Sequence, residues 1–183
     1  MKIGIDISQI AYEGTGVANF LSSLLDELLK RDTKNEYVLF YSSLRKSIQN
    51  SSFDRLRIKI QNYNSKVKIK SFRIPPSLLD LFWNKLHIFP IEWLIGDVDV
   101  FITSDWTEPP TIRAKKVTVL YDLIVYKYPN ETDRKIVEVQ KRKLRWVKKE
   151  SKMIFCISEA TKKDAAEILG IEDKRLKVIY PGV

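Results

Sequence analysis

Three short groups of residues have the types and spacing to do chemistry: Gly14-Thr15-Gly16, Tyr121-Asp122 and Ser158-Glu159. The first precedes an amphipathic segment beginning at Val17, so free N–H groups and the positive end of a helix dipole would face a ligand lying over the loop. Small residues let a phosphate approach that backbone, while the competing reading is a glycine turn with no ligand. Tyr121-Asp122 closes an apolar run, where the carboxylate either accepts hydrogen bonds from sugar hydroxyls or caps the local turn. Ser158 is suited to cap a helix and Glu159 to carry charge in its first turn, which accounts for that pair without a ligand.

Other chemistries lack their residues. A dinucleotide fingerprint needs glycine where Asn19 stands and an acid after the second strand, where the chain reads Tyr41-Ser42-Ser43. No Walker lysine follows Gly16, and the only histidine, His87, has no partner at metal-ligand spacing. Cys156 stands alone in the apolar run Met153 to Ile157 and reads as a small buried hydrophobe.

The elements that must position these residues follow from periodicity. Lys2 to Ile7 reads as a strand, and Phe20, Leu21, Leu24, Leu25, Leu28 and Leu29 form one stripe of a helix beginning near Val17. Tyr37 to Tyr41, Val67 to Phe72, Val98 to Thr103, Lys116 to Leu120, Met153 to Ile157 and Leu176 to Tyr180 read as further strands. Ser77 to Ile95 suggests one or two short helices, Glu131 to Lys152 a long basic one, and Ser158 to Gly170 a capped one with Gly170 left-handed at its end. Strands alternating with helices predict right-handed crossovers, hence a Rossmann-like α/β domain with a mostly parallel sheet and helices on both faces. The loops after Ile7, Thr103, Leu120 and Ile157 would then open together on the carboxyl rim, where such sheets bind ligands.

At 183 residues the chain suits one domain that buries roughly 70% of its unfolded surface. Neither a signal peptide nor a stretch of about eighteen apolar residues is present, which predicts a cytoplasmic chain. The net charge of +9 attracts polyanions without choosing among them, and no nucleic-acid reader motif is visible, so nucleic acid ranks below a membrane as partner. On a helical wheel, Arg134, Lys141, Arg142, Arg145, Lys148, Lys149 and Lys152 fall opposite Ile136, Val137, Val139, Leu144, Trp146 and Val147. This stripe of the 131–152 helix is either a solvated face or a surface for anionic lipid, which would make the protein peripheral on the cytoplasmic membrane face.

The segments GTGVANFLSSLLDEL, DVDVFITSDW, YDLIVYKYP, ISEATKKDAAEILGI and KVIYPGV occur in the order found in the N-terminal half of family-four glycosyltransferases, which the whole chain resembles. The stretch from Gln49 to Ile95 is poorest in motif. The resemblance implies one half of a GT-B architecture, in which residues 1–183 form the acceptor-side domain and the donor-binding domain is absent. It further implies retaining transfer of a sugar, of hexosyltransferase type, from a nucleotide-sugar donor to a glycan or lipid-linked acceptor, as in polysaccharide biosynthesis. No catalytic metal or other cofactor is implied, and turnover by this half alone is not expected. Gly14, Thr15 and Gly16 match the loop that approaches donor phosphates and acceptor. Tyr121-Asp122 stands where the family usually has His-Asp, and a phenol hydrogen-bonds without carrying an imidazole's charge. The family's donor-binding glutamates have no counterpart here, so no catalytic acid or base is assigned. The alternative is a noncatalytic Rossmann-like binding or interaction module using its basic surface.

Overall fold

A seven-stranded sheet runs in the order β3-β2-β1-β4-β5-β6-β7, with every neighbouring pair parallel. Its strands are β1 (Lys2–Asp6), β2 (Glu36–Ser42), β3 (Val67–Phe72), β4 (Val100–Thr103), β5 (Lys115–Leu120), β6 (Met153–Cys156) and β7 (Leu176–Val178). The computed structural model describes residues 1–44, 66–103 and 105–181. Ser104, Gly182 and the part of the motif-poor stretch at 49–65 lie outside the described residues. The expected Rossmann-like α/β fold is present, and several strands stop short of the apolar runs, at Asp6, Cys156 and Val178.

Alternation along β2 shows how both faces are covered. Tyr37, Leu39 and Tyr41 join Ile5, Ile7 and the α1 (Gly16–Arg31) residues Leu21, Leu25 and Leu29 in one core. Val38 and Phe40 point the other way, against Leu79, Trp83, Ile91 and Ile95. That second face is covered by the crossover from β3 to β4: a turn of α2 (Pro76–Leu79), a π-helical stretch over Asp80–Lys85, and α3 (Glu92–Ile95). A third core joins β5 and β6 to α4 (Ile124–Lys127), α5 (Arg134–Glu150) and α6 (Glu159–Leu169).

Ser158 and Gly170 occupy the capping places expected of them, and Thr15 is a further cap. Thr15 caps α1 by accepting from the Ala18 N–H at 3.2 Å, Ser158 caps α6 by accepting from the Thr161 N–H at 3.1 Å, and Gly170 ends α6 at φ 62°. His87 is structural: its ring stacks on Trp146 at 3.6 Å, Nδ1 meets the Trp83 carbonyl at 2.7 Å, and Nε2 meets Glu150 at 3.1 Å. Cys156 is buried in the third core, and burial pushes its thiol up to about 11. Among the described residues no helix is long and apolar enough to cross a membrane.

Candidate functional site

The chain passes from β1 outward to β2 and β3, then returns to lay β4 against the other side of β1. The carboxyl ends of β1 and β4 therefore diverge, and such a switch point is where open α/β sheets leave a crevice. A cavity of about 570 Å³ occupies it. One side is made by Asp6, Ser8, Gln9 and Tyr12 after β1 and by Thr15 at the start of α1; the other by Asp80, Asp105, Trp106 and Val139. Asp6 accepts from the Ser8 N–H at 2.9 Å, and the Ser8 hydroxyl accepts from the Ser42 N–H at 3.0 Å, which fixes the loop to the end of β2.

Two smaller cavities adjoin this one along the rim. One of about 200 Å³ shares Asp105 and Trp106 and adds Tyr121, Asp122, Gln140 and Lys143. The other, of about 390 Å³, lies between Gly16, Val17, Asn19 and Phe20 of α1 and Tyr121, Ile157 and Pro181. The structure thus brings Gly16 and Tyr121 together, sets Thr15 on the largest cavity, and puts Tyr121 and Asp122 on the smallest. Gly14 is exposed in the left-handed region at φ 84°. A side chain at Gly16 would meet nothing within 4 Å, so that position is open rather than crowded.

Tyr121 is 9% exposed and sets its ring edge-on to Phe20, with centroids 5.6 Å apart. Its carbonyl accepts from the Thr161 hydroxyl at 3.0 Å, and Thr161 lies 3.0 Å from the Ser158 hydroxyl, which links the end of β5 to the cap of α6. Asp122 is exposed and accepts from the Ile124 N–H at 3.0 Å, an Asx turn that starts α4. Ser158 and Glu159 line none of these three cavities; Ser158 serves as a cap, and Glu159 is an exposed first-turn acid.

Sequence reasoning missed the charged floor of the site. Lys143 is 2% exposed and lies within electrostatic reach of Glu108, Asp105 and Asp6. Burial lowers its pKa, and the three carboxylates act against that. Burial also raises the pKa of Asp6, opposed by the Ser8 hydrogen bonds and Lys143, and that of Asp105, opposed by Lys143 and Gln140. Glu108 is fully buried and accepts from the hydroxyls of Thr103 at 2.7 Å and Thr118 and Ser151 at 3.2 Å. One signal was available: on the wheel Lys143 falls on the apolar half of the helix, where a lysine needs a reason.

The α5 stripe divides in the structure. Arg142 donates to Asp80 at 2.7 Å, and Asp80 also accepts from buried Asn84 at 2.9 Å, so this guanidinium holds the cavity wall and does not face open solvent. Arg134 pairs with Glu138 at 3.1 Å, and Lys141 lies over the Tyr126 ring at 5.3 Å. Arg145 and Lys149 each lie 5.0 Å from the Trp146 ring centre, and Lys148, Lys149 and Lys152 are exposed. Ile136, expected inside, is 38% exposed beside the smallest cavity.

Among solved structures, the fold is similar to that of Anabaena Alr3699/HepE, crystallised in complex with UDP-glucose, with a TM-score of 0.52 and 15% sequence identity. The match covers 100% of this chain and 44% of that one, so the chain spans less than half the length of the protein it resembles. No curated protein matches. The family model described as Glycosyltransferase Family 4 matches residues 14–183, and the chain belongs to that family.

Proposed function

We propose that this chain is the acceptor-side half of a retaining glycosyltransferase that moves a hexosyl group from a nucleotide-sugar donor to a hydroxyl of a glycan or lipid-linked acceptor in the cytoplasm. The observation that carries the reading is the cavity of about 570 Å³ at the switch point, with Trp106 and Tyr12 as apolar walls and Asp6, Ser8, Gln9 and Asp105 as hydrogen-bonding groups. Aromatic faces beside carboxylates suit the apolar faces and hydroxyls of a sugar. The glycine loop and the cavity between Gly16 and Tyr121 open beside it, where the positive amino-terminal end of α1 suits a donor diphosphate.

In this reaction the acceptor oxygen bonds to the anomeric carbon, and the nucleoside diphosphate leaves with the electrons of the broken bond and takes up the hydroxyl proton. The chain's own part is to hold the acceptor oxygen in place while a separate donor-binding domain holds the sugar nucleotide. No metal and no catalytic acid or base of this chain is given a step. The similarity to a structure bound to UDP-glucose supports, without identifying, a nucleotide-sugar donor.

The test is glycosyl transfer measured with a panel of nucleotide sugars and acceptors, by the 183-residue chain alone and by a polypeptide that joins it to a donor-binding domain. The chain alone should give no multiple turnover, and the joined form should. In the joined form, Trp106→Ala should raise the acceptor KM at least about tenfold, equivalent to about 1.4 kcal/mol of binding, with little change in the donor KM. Multiple turnover by the isolated chain, or an unchanged acceptor KM, would overturn the assignment. Tight acceptor binding with no transfer by the joined form would favour a noncatalytic module.

A further inference from the structure

The loop that follows β4 carries the two residues shared by the largest and the smallest cavity, Asp105 and Trp106. It is anchored at its start, middle and end. At the start, the Gln140 amide on α5 donates to the Asp105 carbonyl at 3.1 Å. At the end, Lys116 donates to the Pro109 carbonyl at 2.9 Å, and the Glu108 carboxylate accepts from the hydroxyls of Thr103, Thr118 and Ser151. The middle is tied to Asn84, a fully buried side chain of the π-helical stretch between α2 and α3.

The Asn84 carboxamide meets a partner in every direction. Its Nδ2 donates to the Trp106 carbonyl at 3.0 Å and to Asp80 Oδ1 at 2.9 Å, and its Oδ1 accepts from the Glu108 N–H at 3.0 Å. Turned the other way, the amide would set its oxygen against a carbonyl and a carboxylate, so one orientation alone fits. The partners are fixed in turn. Asp80 accepts from Arg142 of α5 at 2.7 Å, and the Asn84 backbone carbonyl accepts from the Trp146 indole at 2.8 Å. A wide helical turn of the kind that recurs at functional sites is thereby joined to α5 on one side and to the loop on the other.

Packing alone does not call for this residue. A leucine would bury at the same place with no hydrogen bonds to satisfy, whereas a buried amide stabilises one arrangement and only when all its partners are present. The arrangement it fixes is the backbone of Trp106 and Glu108, and with it the course of the loop between Asp105 and the stiff pair Pro109-Pro110. Groups that face a ligand have to be held within about 0.5 Å of their productive places, and the residues behind them do the holding. Asn84 stands behind this loop and lines none of the three cavities described.

From this arrangement we infer that Asn84 is a positioning residue for the acceptor: its carboxamide sets the loop so that Asp105 and Trp106 meet the acceptor in the largest cavity. It acts through the loop and touches no substrate. The inference rests on the reading of that cavity as the acceptor's place. Donor binding belongs to other surfaces, so loss of the carboxamide bears on the acceptor and leaves the donor unaffected.

The experiment compares Asn84→Ala with Ile95→Ala in the polypeptide that joins this chain to a donor-binding domain, using the acceptor that wild type turns over. Ile95 is buried in the core on the same face of the sheet, so its variant reports a loss of packing. Both should lower Tm. Asn84→Ala should raise the acceptor KM about tenfold with kcat and donor KM within about twofold, whereas Ile95→Ala should leave all three within about twofold. Equal rises in both KM values, a rise in neither, or the same acceptor effect from Ile95→Ala would overturn the inference. A wild-type measurement applies whether or not Asn84→Ala folds: in the 183-residue chain the Glu108 amide should exchange with deuterium as slowly as the amides of β4. Exchange as fast as that of the exposed Gly14 amide would also overturn it. Trp106→Ala separates the two ideas. An unchanged acceptor KM in that variant removes the acceptor reading of the cavity and the positioning role with it. A raised KM there, beside an unchanged one in Asn84→Ala, removes the positioning role alone.

Discussion

A lysine without access to water is held in place by the acids around it, and Lys143 stands among Asp6, Asp105 and Glu108 beneath the cavities. Replacing it with methionine leaves buried carboxylates without their cation, so Lys143→Met should destabilise the chain by about 3–5 kcal/mol at neutral pH, measured by urea unfolding. The loss should shrink on acidification. Asp6 and Asp105 have folded pKa values raised above 3.8, so the folded state takes up protons before the unfolded chain does. Their cost to stability is therefore absent below 3.8 and grows as pH rises through the raised values. Gly14 offers a smaller contrast: at φ 84° a Gly14→Ala change should cost about 1 kcal/mol, whereas Gly16→Ala should not, because its Cβ direction is open. At this scale the sequence was legible where a residue acts on its neighbours, as with the caps Ser158 and Gly170. It was not legible for Asp6, Asp105 and Lys143, whose roles depend on a meeting of β1, the loop after β4 and α5.

Among the elements, β1 carries a constraint that its alternation conceals. A Cβ built on Gly4 would sit 2.7 Å from Phe101 Cδ2 and 2.9 Å from Ile95 Cδ1, so the strand fits only because its neighbour's ring fills the place of a side chain. Gly4→Ala should lower stability by about 1–3 kcal/mol, visible as a lower Tm. The two sides of α5 also separate by mutation. Arg142→Gln, which breaks the contact with buried Asp80, should cost about 1.5–3 kcal/mol, while Lys148→Gln on the exposed side should change stability by less than about 0.5 kcal/mol. Helical periodicity placed α1 and α5 correctly because each lays one long face on the sheet. Between β3 and β4 the expected short helices are present, but the π-helical winding of Asp80–Lys85 was not legible, because it departs from the 3.6-residue pattern.

For the whole molecule, the position of β1 between β2 and β4 sets the order of stability. Its amides lie inside the sheet and under two cores, so hydrogen exchange should be slowest there and in β2, and faster in the three-residue edge strand β7; comparable rates in β1 and β7 would contradict this. The α/β class, the parallel sheet and the rim on which the loops gather were legible from alternation alone, since strands joined by crossovers have few other arrangements. The strand order was not, because which strand returns beside β1 is decided by contacts far apart in sequence. That central placement also bears on synthesis. Ile3 pairs with Val100, so after β1 leaves the ribosome one of its edges waits for about 100 more residues to be made. At roughly 5–20 residues per second this lasts on the order of 5–20 s. For that interval the nascent chain presents Ile3, Gly4 and Ile5 with an unpaired strand edge, a natural place for a ribosome-associated chaperone to bind.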